Sequence, residues 1–142
     1  MSQRAKGLDH VAIAVRSLDE AIAFYRDVLG LELQEIEEVP GQKVKTAIFG
    51  RGMGRIELIC PTAADTGVAR FLEKRGEGLH HICIEVDDID LALAELRKSG
   101  VPLIDEVPVA GAGGARVAFI HPKGARGVLT ELRQGPREAS LR

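Results

Sequence analysis

Two histidines and two glutamates occupy matched positions in this sequence of 142 residues. His10 and His81 each lie near the start of a segment with alternating apolar residues, and Glu57 and Glu131 lie within two later apolar segments. An acidic side chain in an apolar strand is costly to bury without a partner. Imidazole and carboxylate are common ligands of divalent Co, Ni, Zn, Mn or Fe. The four residues therefore predict an N2O2 metal site with two octahedral positions left for water or substrate oxygens.

An internal duplication accounts for this matching. At an offset of 71 residues, LDHVAIAVRSLDEA (8–21) aligns with LHHICIEVDDIDLA (79–92), and six positions are identical. The alignment places His81, and not His80, opposite His10. Because successive side chains of a strand point to opposite faces, we expect His10 and His81 to face one cavity. His80 is predicted to point elsewhere, in a hydrogen-bonded structural role.

Each copy of the repeat predicts a strand, a capped helix and three further strands. Ser17 and Glu20 resemble a capping box, Asp87 and Asp90 occupy similar positions in the second copy, and each helix is followed by a glycine suited to a left-handed cap. The helices are expected to end at Gly30 and Gly100. The later strands are predicted at 31–38, 43–49 and 55–60 in the first copy, and at 101–107, 115–120 and 127–133 in the second.

The predicted fold class is therefore α+β, with two tandem βαβββ modules that form a shared concave mixed-sheet active site. We expect one domain, because each half is too small to bury its own core. Its predicted parts are the halves 7–60 and 79–133, a linker 61–78 with a short helix at 66–75, and a flexible tail at 134–142. The glycine-rich stretch GAGGAR (111–116) opens no helix, so it is interpreted as a hairpin turn over the cavity and not as a dinucleotide site.

The composition excludes several classes of function. Apolar residues make up 45% of the chain, charged residues 28%, and the net charge is −2. A weakly acidic chain with few aromatic residues offers no surface for nucleic acid. No apolar run is long enough for a membrane helix or a signal peptide, so a cytoplasmic protein without membrane contact is expected. Cys60 and Cys83 form no CxxC motif and are interpreted as reduced core thiols.

Five segments carry a resemblance to a known family: LDHVAIAV, FYRDVLGLEL, RIELICP, GLHHICIEVDDID and GGARVAFIHPKGARGVLTEL. They resemble the methylmalonyl-CoA epimerases of the vicinal oxygen chelate superfamily, over residues 7–132. The resemblance implies an isomerase of propionate metabolism that interconverts (R)- and (S)-methylmalonyl-CoA by C2 proton transfer through a metal-stabilised enolate. It also implies a homodimer and a divalent ion, Co²⁺ first and Ni²⁺, Mn²⁺ or Zn²⁺ as alternatives. The implied ligands are His10, Glu57, His81 and Glu131.

Inversion at C2 needs a proton removed from one face and returned to the other, ideally by two carboxylates. Glu131 is the first choice for this role and Glu57 the second. Some epimerases have a glutamate where this chain has Thr46, and a threonine hydroxyl is no base near neutral pH. That part of the family mechanism is therefore not transferred.

The substrate contacts are predicted on both halves of the chain. Gln42 and Lys43 are candidates for holding the substrate carboxylate. Arg116, Lys123 and Arg126 are candidates for the phosphates of the CoA thioester.

Three alternatives to an epimerase remain open from the sequence. Lactoylglutathione lyase, glyoxalase I, uses the same ligand types, although the HPKGARG stretch favours CoA. A dioxygenase with two histidines and one carboxylate is weakened by Glu57. A non-enzymatic binding protein of the same fold would not need the four ligands.

Overall fold

The computed structural model describes residues 5–136, which form one eight-stranded mixed sheet with the strand order β2-β3-β4-β1-β5-β8-β7-β6. The strands are β1 Ala5–Ala14, β2 Leu33–Val39, β3 Val44–Phe49, β4 Arg55–Pro61, β5 Gly78–Val86, β6 Val109–Ala110, β7 Arg116–Ile120 and β8 Thr130–Gln134. The helices are α1 Leu18–Ile22, α2 Gly67–Arg75 and α3 Ile89–Lys98. The predicted α+β fold is confirmed.

The two halves repeat one pairing scheme and meet in the middle of the sheet. β1 pairs with β4 in parallel, and β5 pairs with β8 in parallel. The antiparallel pairing of β1 with β5 then joins the halves. The first strands of both modules therefore lie side by side at the centre, where each is flanked by the last strand of its own module.

Helices cover both faces of the sheet. Apolar residues of α1 pack on one face against Phe49 and Leu58, and those of α3 pack against Ala118 and Leu132. Helix α2 lies on the other face, where it packs against small and branched residues of β1, β3 and β4. That face carries Ala12 and Ala14, as the alternation along β1 predicts. The linker between the modules therefore covers part of the face on which His10 lies.

The helix ends follow the predicted chemistry with one shift and one addition. The Ser17 side chain accepts a hydrogen bond from Glu20 N, as predicted. In the second module the cap is Asp88, which accepts from Leu91 N, so the assignment to Asp87 was wrong by one residue. Helix α1 continues as a π-helix over Ala23–Val28, which the spacing of apolar residues did not indicate.

The strand predicted at 101–107 does not form, apart from an isolated bridge at Leu103. Pro102 has no N–H group to donate to a ladder. Two successive N–H groups, the second from Asp105, both donate to the carbonyl of Phe119, and the Asp105 carboxylate accepts from Phe119 N at 2.8 Å. These hydrogen bonds replace the regular backbone ladder of a strand. The first strand after α3 is therefore the two-residue β6.

The end of the second module also differs from the prediction. β8 starts at Thr130 rather than at 127 and continues through Gln134, so the predicted tail boundary at 134 was wrong. The Gln134 side chain accepts a hydrogen bond from Ile89 N at 2.8 Å, which ties β8 to the start of α3. Residues 137–142 of the predicted tail lie outside the described residues. Within residues 5–136, none of the helices has the length and apolar character of a membrane crossing.

The glycine after α3 provides a test of the helix end. Gly100 has φ +78° and open space around a Cβ, so Gly100→Ala should lower the free energy of unfolding by about 1 kcal/mol through backbone strain alone. Gly67→Ala is the matched control, because Gly67 begins α2 in equally open space without a positive φ. We expect the control to be stabilising by about 0.4–1 kcal/mol. Urea unfolding of both variants checks this, and equal stabilities would contradict it.

Candidate active site

The four candidate ligands lie together at the centre of the sheet. His10 Nε2 is 3.5 Å from Glu57 Oε1 and 3.5 Å from Glu131 Oε1, and His81 Nε2 is 3.2 Å from the same Glu131 oxygen. All four residues are buried, with at most 7% of their surface exposed. The structure therefore places one imidazole and one carboxylate from each module in a single cluster, which we call the His–Glu cluster.

Two small residues at equivalent positions of the duplication make room for this cluster. A small side chain between larger polar neighbours leaves space for their ends to converge across the strands. Ala12 on β1 lies between Glu57 on β4 and His81 on β5 in the strand pairing. Cys83 on β5 lies in the same way between His10 on β1 and Glu131 on β8.

Three register shifts interrupt the pairing of β1 with β5, and two of them are bulges next to the candidate ligand histidines. Asp9 in β1 and His80 in β5 each lie opposite no residue of the other strand. A bulge turns adjacent side chains toward the same face, which a regular strand does not allow. Asp9 Oδ2 lies 2.7 Å from His10 Nδ1, and His80 Nδ1 lies 2.8 Å from His81 Nδ1. The expectation that only one of the two neighbouring histidines faces the cavity was therefore wrong.

Asp9 anchors a buried ion network that the sequence analysis missed. Its Oδ1 lies 3.2 Å from an Arg55 guanidinium nitrogen and 3.6 Å from Arg133 Nη1, and no more than 4% of any of these side chains is exposed. Arg133 also donates from Nη2 to the carbonyl of Ala112 in the turn after β6. Because a carboxylate only accepts hydrogen bonds, Asp9 fixes the proton of His10 on Nδ1. The sequence signal that could have predicted this network is the presence of Asp9, Arg55 and Arg133 within otherwise apolar strands.

Protonation of the cluster follows from the surrounding charges. Burial alone would lower the pKa of His10, but the carboxylates of Glu57 and Asp9 outweigh it, and the pKa is raised. Burial opposes ionisation of Glu131, yet its contacts with His10 and His81 hold its pKa below the usual range. In the absence of a metal, an imidazolium at His10 therefore balances the carboxylates.

The cluster has the donor atoms that a divalent ion requires. Neither His10 Nε2 nor His81 Nε2 has a hydrogen-bond partner within residues 5–136, although both are buried. The ligand atoms of His10, His81 and Glu131 lie within 4.8 Å of one another. Imidazole nitrogens and carboxylate oxygens suit Zn²⁺, Ni²⁺ and Co²⁺ alike. These residues fit the metal that the family resemblance implies.

A second group of possible ligands, Asp9, His10 and Cys83, lies next to the first. Burial, together with the negative charge of Glu131, raises the pKa of the Cys83 thiol, which disfavours the thiolate that a metal would need. The Asp9 carboxylate is also occupied by arginine. The His–Glu cluster is therefore the better candidate. Neither Cys60 nor Cys83 forms a disulfide, and only Cys83 is fully buried, whereas Cys60 is partly exposed.

A cavity of about 1320 Å³ leads to the His–Glu cluster from the α2 side of the sheet. Of the four cluster residues, which are all within the described part of the chain, only His81 lines it. His80 lines it as well, and Phe71 and Phe119 contact the two rings edge to face at 5.0 and 5.1 Å. The cavity exceeds the roughly 300–1,000 Å³ of pockets for drug-sized ligands. The cavity therefore meets the cluster at the His80–His81 pair.

The predicted substrate contacts are only partly brought to this cavity. Gln42 lines it and donates from Nε2 to the carbonyl of Ala110 at 3.2 Å, across the cavity mouth. Lys43 instead pairs with Asp65 at 3.2 Å on the surface. Thr46 is buried, and its hydroxyl donates to the carbonyl of Glu37.

The basic residues at the cavity mouth are not the predicted ones. Arg116 pairs with Asp90 at the start of α3, away from the cavity, and Lys123 and Arg126 are exposed in the turn before β8 without lining it. Helix α2 supplies the cationic side chains that do line the cavity, at Arg70, Lys74 and Arg75. The spacing of three basic residues within the predicted linker helix was the signal that sequence reasoning missed.

Comparison with known proteins places this chain in a family. A family model described as the Glyoxalase/Bleomycin resistance protein/Dioxygenase superfamily matches residues 9–119. "Methylmalonyl-CoA epimerase, mitochondrial" of Mus musculus is 41% identical over 128 residues, 89% of this chain and 72% of the relative. "Ethylmalonyl-CoA/methylmalonyl-CoA epimerase" of Cereibacter sphaeroides is 40% identical over 129 residues, 89% of this chain and 96% of the relative.

Solved structures show the same similarity. A variant of Streptomyces coelicolor methylmalonyl-CoA epimerase in complex with 2-nitronate-propionyl-CoA has a TM-score of 0.90 and 35% identity, over 94% of this chain and 97% of the other. A lactoylglutathione lyase of Haemophilus influenzae is more distant, with 32% identity over 112 residues, 79% of this chain and 82% of the relative.

The Asp9 network predicts a large effect on stability. Asp9→Asn should lower the free energy of unfolding by about 3 kcal/mol, because it leaves two buried guanidinium groups without their carboxylate. Asp65→Asn removes a carboxylate from an exposed pair with Lys43 and should change stability little. Urea unfolding measures both variants. A similar, small effect of the two substitutions would show that the network does not hold the central strands.

The raised pKa of His10 predicts that protons compete with metal ions. Binding of Zn²⁺ near pH 7 should release about one proton per ion, because the His10 proton must leave before Nε2 can act as a ligand. Metal affinity should therefore fall as the pH falls. Calorimetry in buffers of different ionisation enthalpy measures the proton count. A binding enthalpy that does not depend on the buffer would refute the protonated state.

Proposed function

The chain belongs to the methylmalonyl-CoA epimerases within the Glyoxalase/Bleomycin resistance protein/Dioxygenase superfamily, and we propose that it interconverts (R)- and (S)-methylmalonyl-CoA. In this proposal a divalent ion is held by His10, Glu57, His81 and Glu131. The observation that carries it is that the buried Nε2 atoms of His10 and His81 lack a hydrogen bond within residues 5–136 and face carboxylates, in a cluster that meets a large cavity at His81. The relatives provide the substrate class.

The chemistry of the substrate suits such a site. The C2 hydrogen of methylmalonyl-CoA lies between a carboxylate and a thioester, so its loss leaves an enolate whose charge lies on oxygen. A bound divalent ion supplies positive charge for that oxygen. The burial of the cluster excludes water and strengthens every charge interaction around the reacting atoms.

In this proposal the two glutamates exchange protons with opposite faces of C2. Glu57 is on β4 and Glu131 on β8, so they flank the central β1–β5 pair from its two sides. Glu131 lies close to both imidazoles and is the first candidate for the acid/base, with Glu57 as the second. Thr46 holds a backbone carbonyl and offers no base. Inversion by two carboxylates on opposite sides needs no redox step.

The cavity mouth accounts for a CoA thioester. The cavity wall formed by α2 is positively charged, because it carries Arg70, Lys74 and Arg75. Guanidinium and ammonium groups bind phosphate oxygens by charge-assisted hydrogen bonds. We infer that α2, rather than Arg116, Lys123 and Arg126, meets the phosphates. Co²⁺ as the bound ion and a homodimeric assembly stay predictions.

Exchange at C2 tests the proposed reaction directly. Proton NMR in D2O should show rapid deuterium uptake at C2 of methylmalonyl-CoA, with both epimers formed, after Co²⁺ is added to metal-stripped protein. His81→Ala should slow the exchange about 100-fold or more, because it removes a ligand at the cavity wall. His121→Ala is the matched control, since His121 lies in the turn before β8 and does not line the cavity.

A failed exchange would distinguish the possible functions. Confirmed metal binding without C2 exchange would refute the epimerase proposal and favour the hemithioacetal of methylglyoxal and glutathione, the substrate of lactoylglutathione lyases. Failure of the protein to bind any divalent ion would instead favour a binding protein of the same fold.

The assignment of α2 to the phosphates makes a separate prediction. Arg70→Ala with Lys74→Ala should raise KM for methylmalonyl-CoA about tenfold, since two exposed charge contacts are lost. KM for the N-acetylcysteamine thioester of methylmalonate, which has no phosphates, should not change. Lys98→Ala on α3 is the control. Steady-state rates with both thioesters measure this, and equal effects on the two substrates would mean that α2 does not bind phosphate.

A further inference from the structure

His80 is placed where the cavity meets the His–Glu cluster. Its ring lines the cavity, contacts the ring of His81 through the two Nδ1 atoms at 2.8 Å, and stands edge to face against Phe71. The bulge at His80 brings its ring to this face. Of the four cluster residues, only His81 reaches the cavity wall, and His80 lies directly beside it there.

The short contact between the two Nδ1 atoms requires one proton between them. Two unprotonated nitrogens would repel each other at 2.8 Å, and two protonated ones would clash, so one ring donates and the other accepts. If His81 uses the lone pair of Nε2 as a metal ligand, its proton must be on Nδ1. His80 then accepts on Nδ1 and carries its own proton on Nε2, as a donor held by a ligand.

The position equivalent to His80 in the first module has a different role. Asp9 also accepts a hydrogen bond from the neighbouring ligand's Nδ1, but it is fully buried and contacts two arginines. His80 is only partly buried and lines the cavity, and its Nε2 has no hydrogen-bond partner among residues 5–136. Of Asp9 and His80, only His80 therefore has a free nitrogen that can offer an N–H group to the cavity.

We propose that His80 orients the ligand His81 through Nδ1 and donates a hydrogen bond from Nε2 to a carboxylate or thioester oxygen of the substrate's malonyl group. This inference rests on the function proposed above. One residue thereby couples the metal site to the substrate, which a structural histidine would not do. In the first module Asp9 performs only the first of these two tasks.

Two substitutions separate the tasks of the two nitrogens. The side-chain oxygen of His80→Asn can replace Nδ1 as acceptor but leaves no donor at Nε2, whereas the amide of His80→Gln reaches the Nε2 position and leaves His81 without its acceptor. His80→Asn should keep the Zn²⁺ affinity of the parent and bind 2-nitronate-propionyl-CoA about tenfold more weakly. His80→Gln should bind Zn²⁺ about tenfold more weakly and, once saturated with Zn²⁺, keep the affinity for the analogue.

Chelator competition measures Zn²⁺ affinity, and calorimetry with 2-nitronate-propionyl-CoA measures ligand affinity. His121→Asn is the control and should change neither affinity. Unchanged analogue binding by His80→Asn would overturn the substrate contact, and unchanged Zn²⁺ binding by His80→Gln would overturn the orienting role.

A spectroscopic measurement tests the proton arrangement without any turnover. Long-range ¹H–¹⁵N NMR of the Zn²⁺-loaded parent protein should show His81 protonated on Nδ1 and His80 protonated on Nε2. A proton on His80 Nδ1 would overturn the proposal. Because neither this experiment nor the Zn²⁺ affinities require catalysis, the predicted tautomers without C2 exchange would refute the epimerase reaction while the orienting role of His80 stands.

Discussion

The uneven balance of buried charge at the centre of the sheet is the constraint on which the rest of the structure depends. Asp9, Glu57 and Glu131 are buried acids, and among residues 5–136 only two buried guanidinium groups, those of Arg55 and Arg133, accompany them. One negative charge therefore needs another cation, which is a proton on His10 or a divalent ion at the His–Glu cluster. The buried acids of the cluster therefore require a proton or a metal ion to balance their charge. The cluster meets the cavity at His81.

Duplication provides two copies of each ligand type, and the bulges make the two copies unequal. A bulged residue supports the ligand histidine next to it in both modules, because each contact runs to Nδ1 and leaves Nε2 directed at the cluster. Asp9 is closed off by arginine, whereas His80 faces the cavity. In the proposed function the symmetric frame would hold the ion, and its asymmetry would leave the His80 side for the substrate.

Much of this arrangement was accessible from the sequence, because the duplication and the alternation of apolar residues select His10, Glu57, His81 and Glu131. The bulges were not accessible, since a strict period of two assigns Asp9 and His80 to the wrong face. The basic residues that line the cavity were not accessible either, because the sequence does not show which face of the sheet α2 covers, and the prediction chose Arg116 and the turn before β8 instead. The strand predicted at 101–107 failed for a local reason, the competing contacts of Asp105 with Phe119.

Anomalous diffraction from crystals of the Zn²⁺-loaded protein tests the central claim, that this cluster holds a divalent ion. A single strong peak is predicted about 2.0–2.2 Å from His10 Nε2, His81 Nε2 and the carboxylate oxygens of Glu57 and Glu131. A peak ligated by Asp9, His10 and Cys83, or the absence of any peak among the four residues, would contradict it.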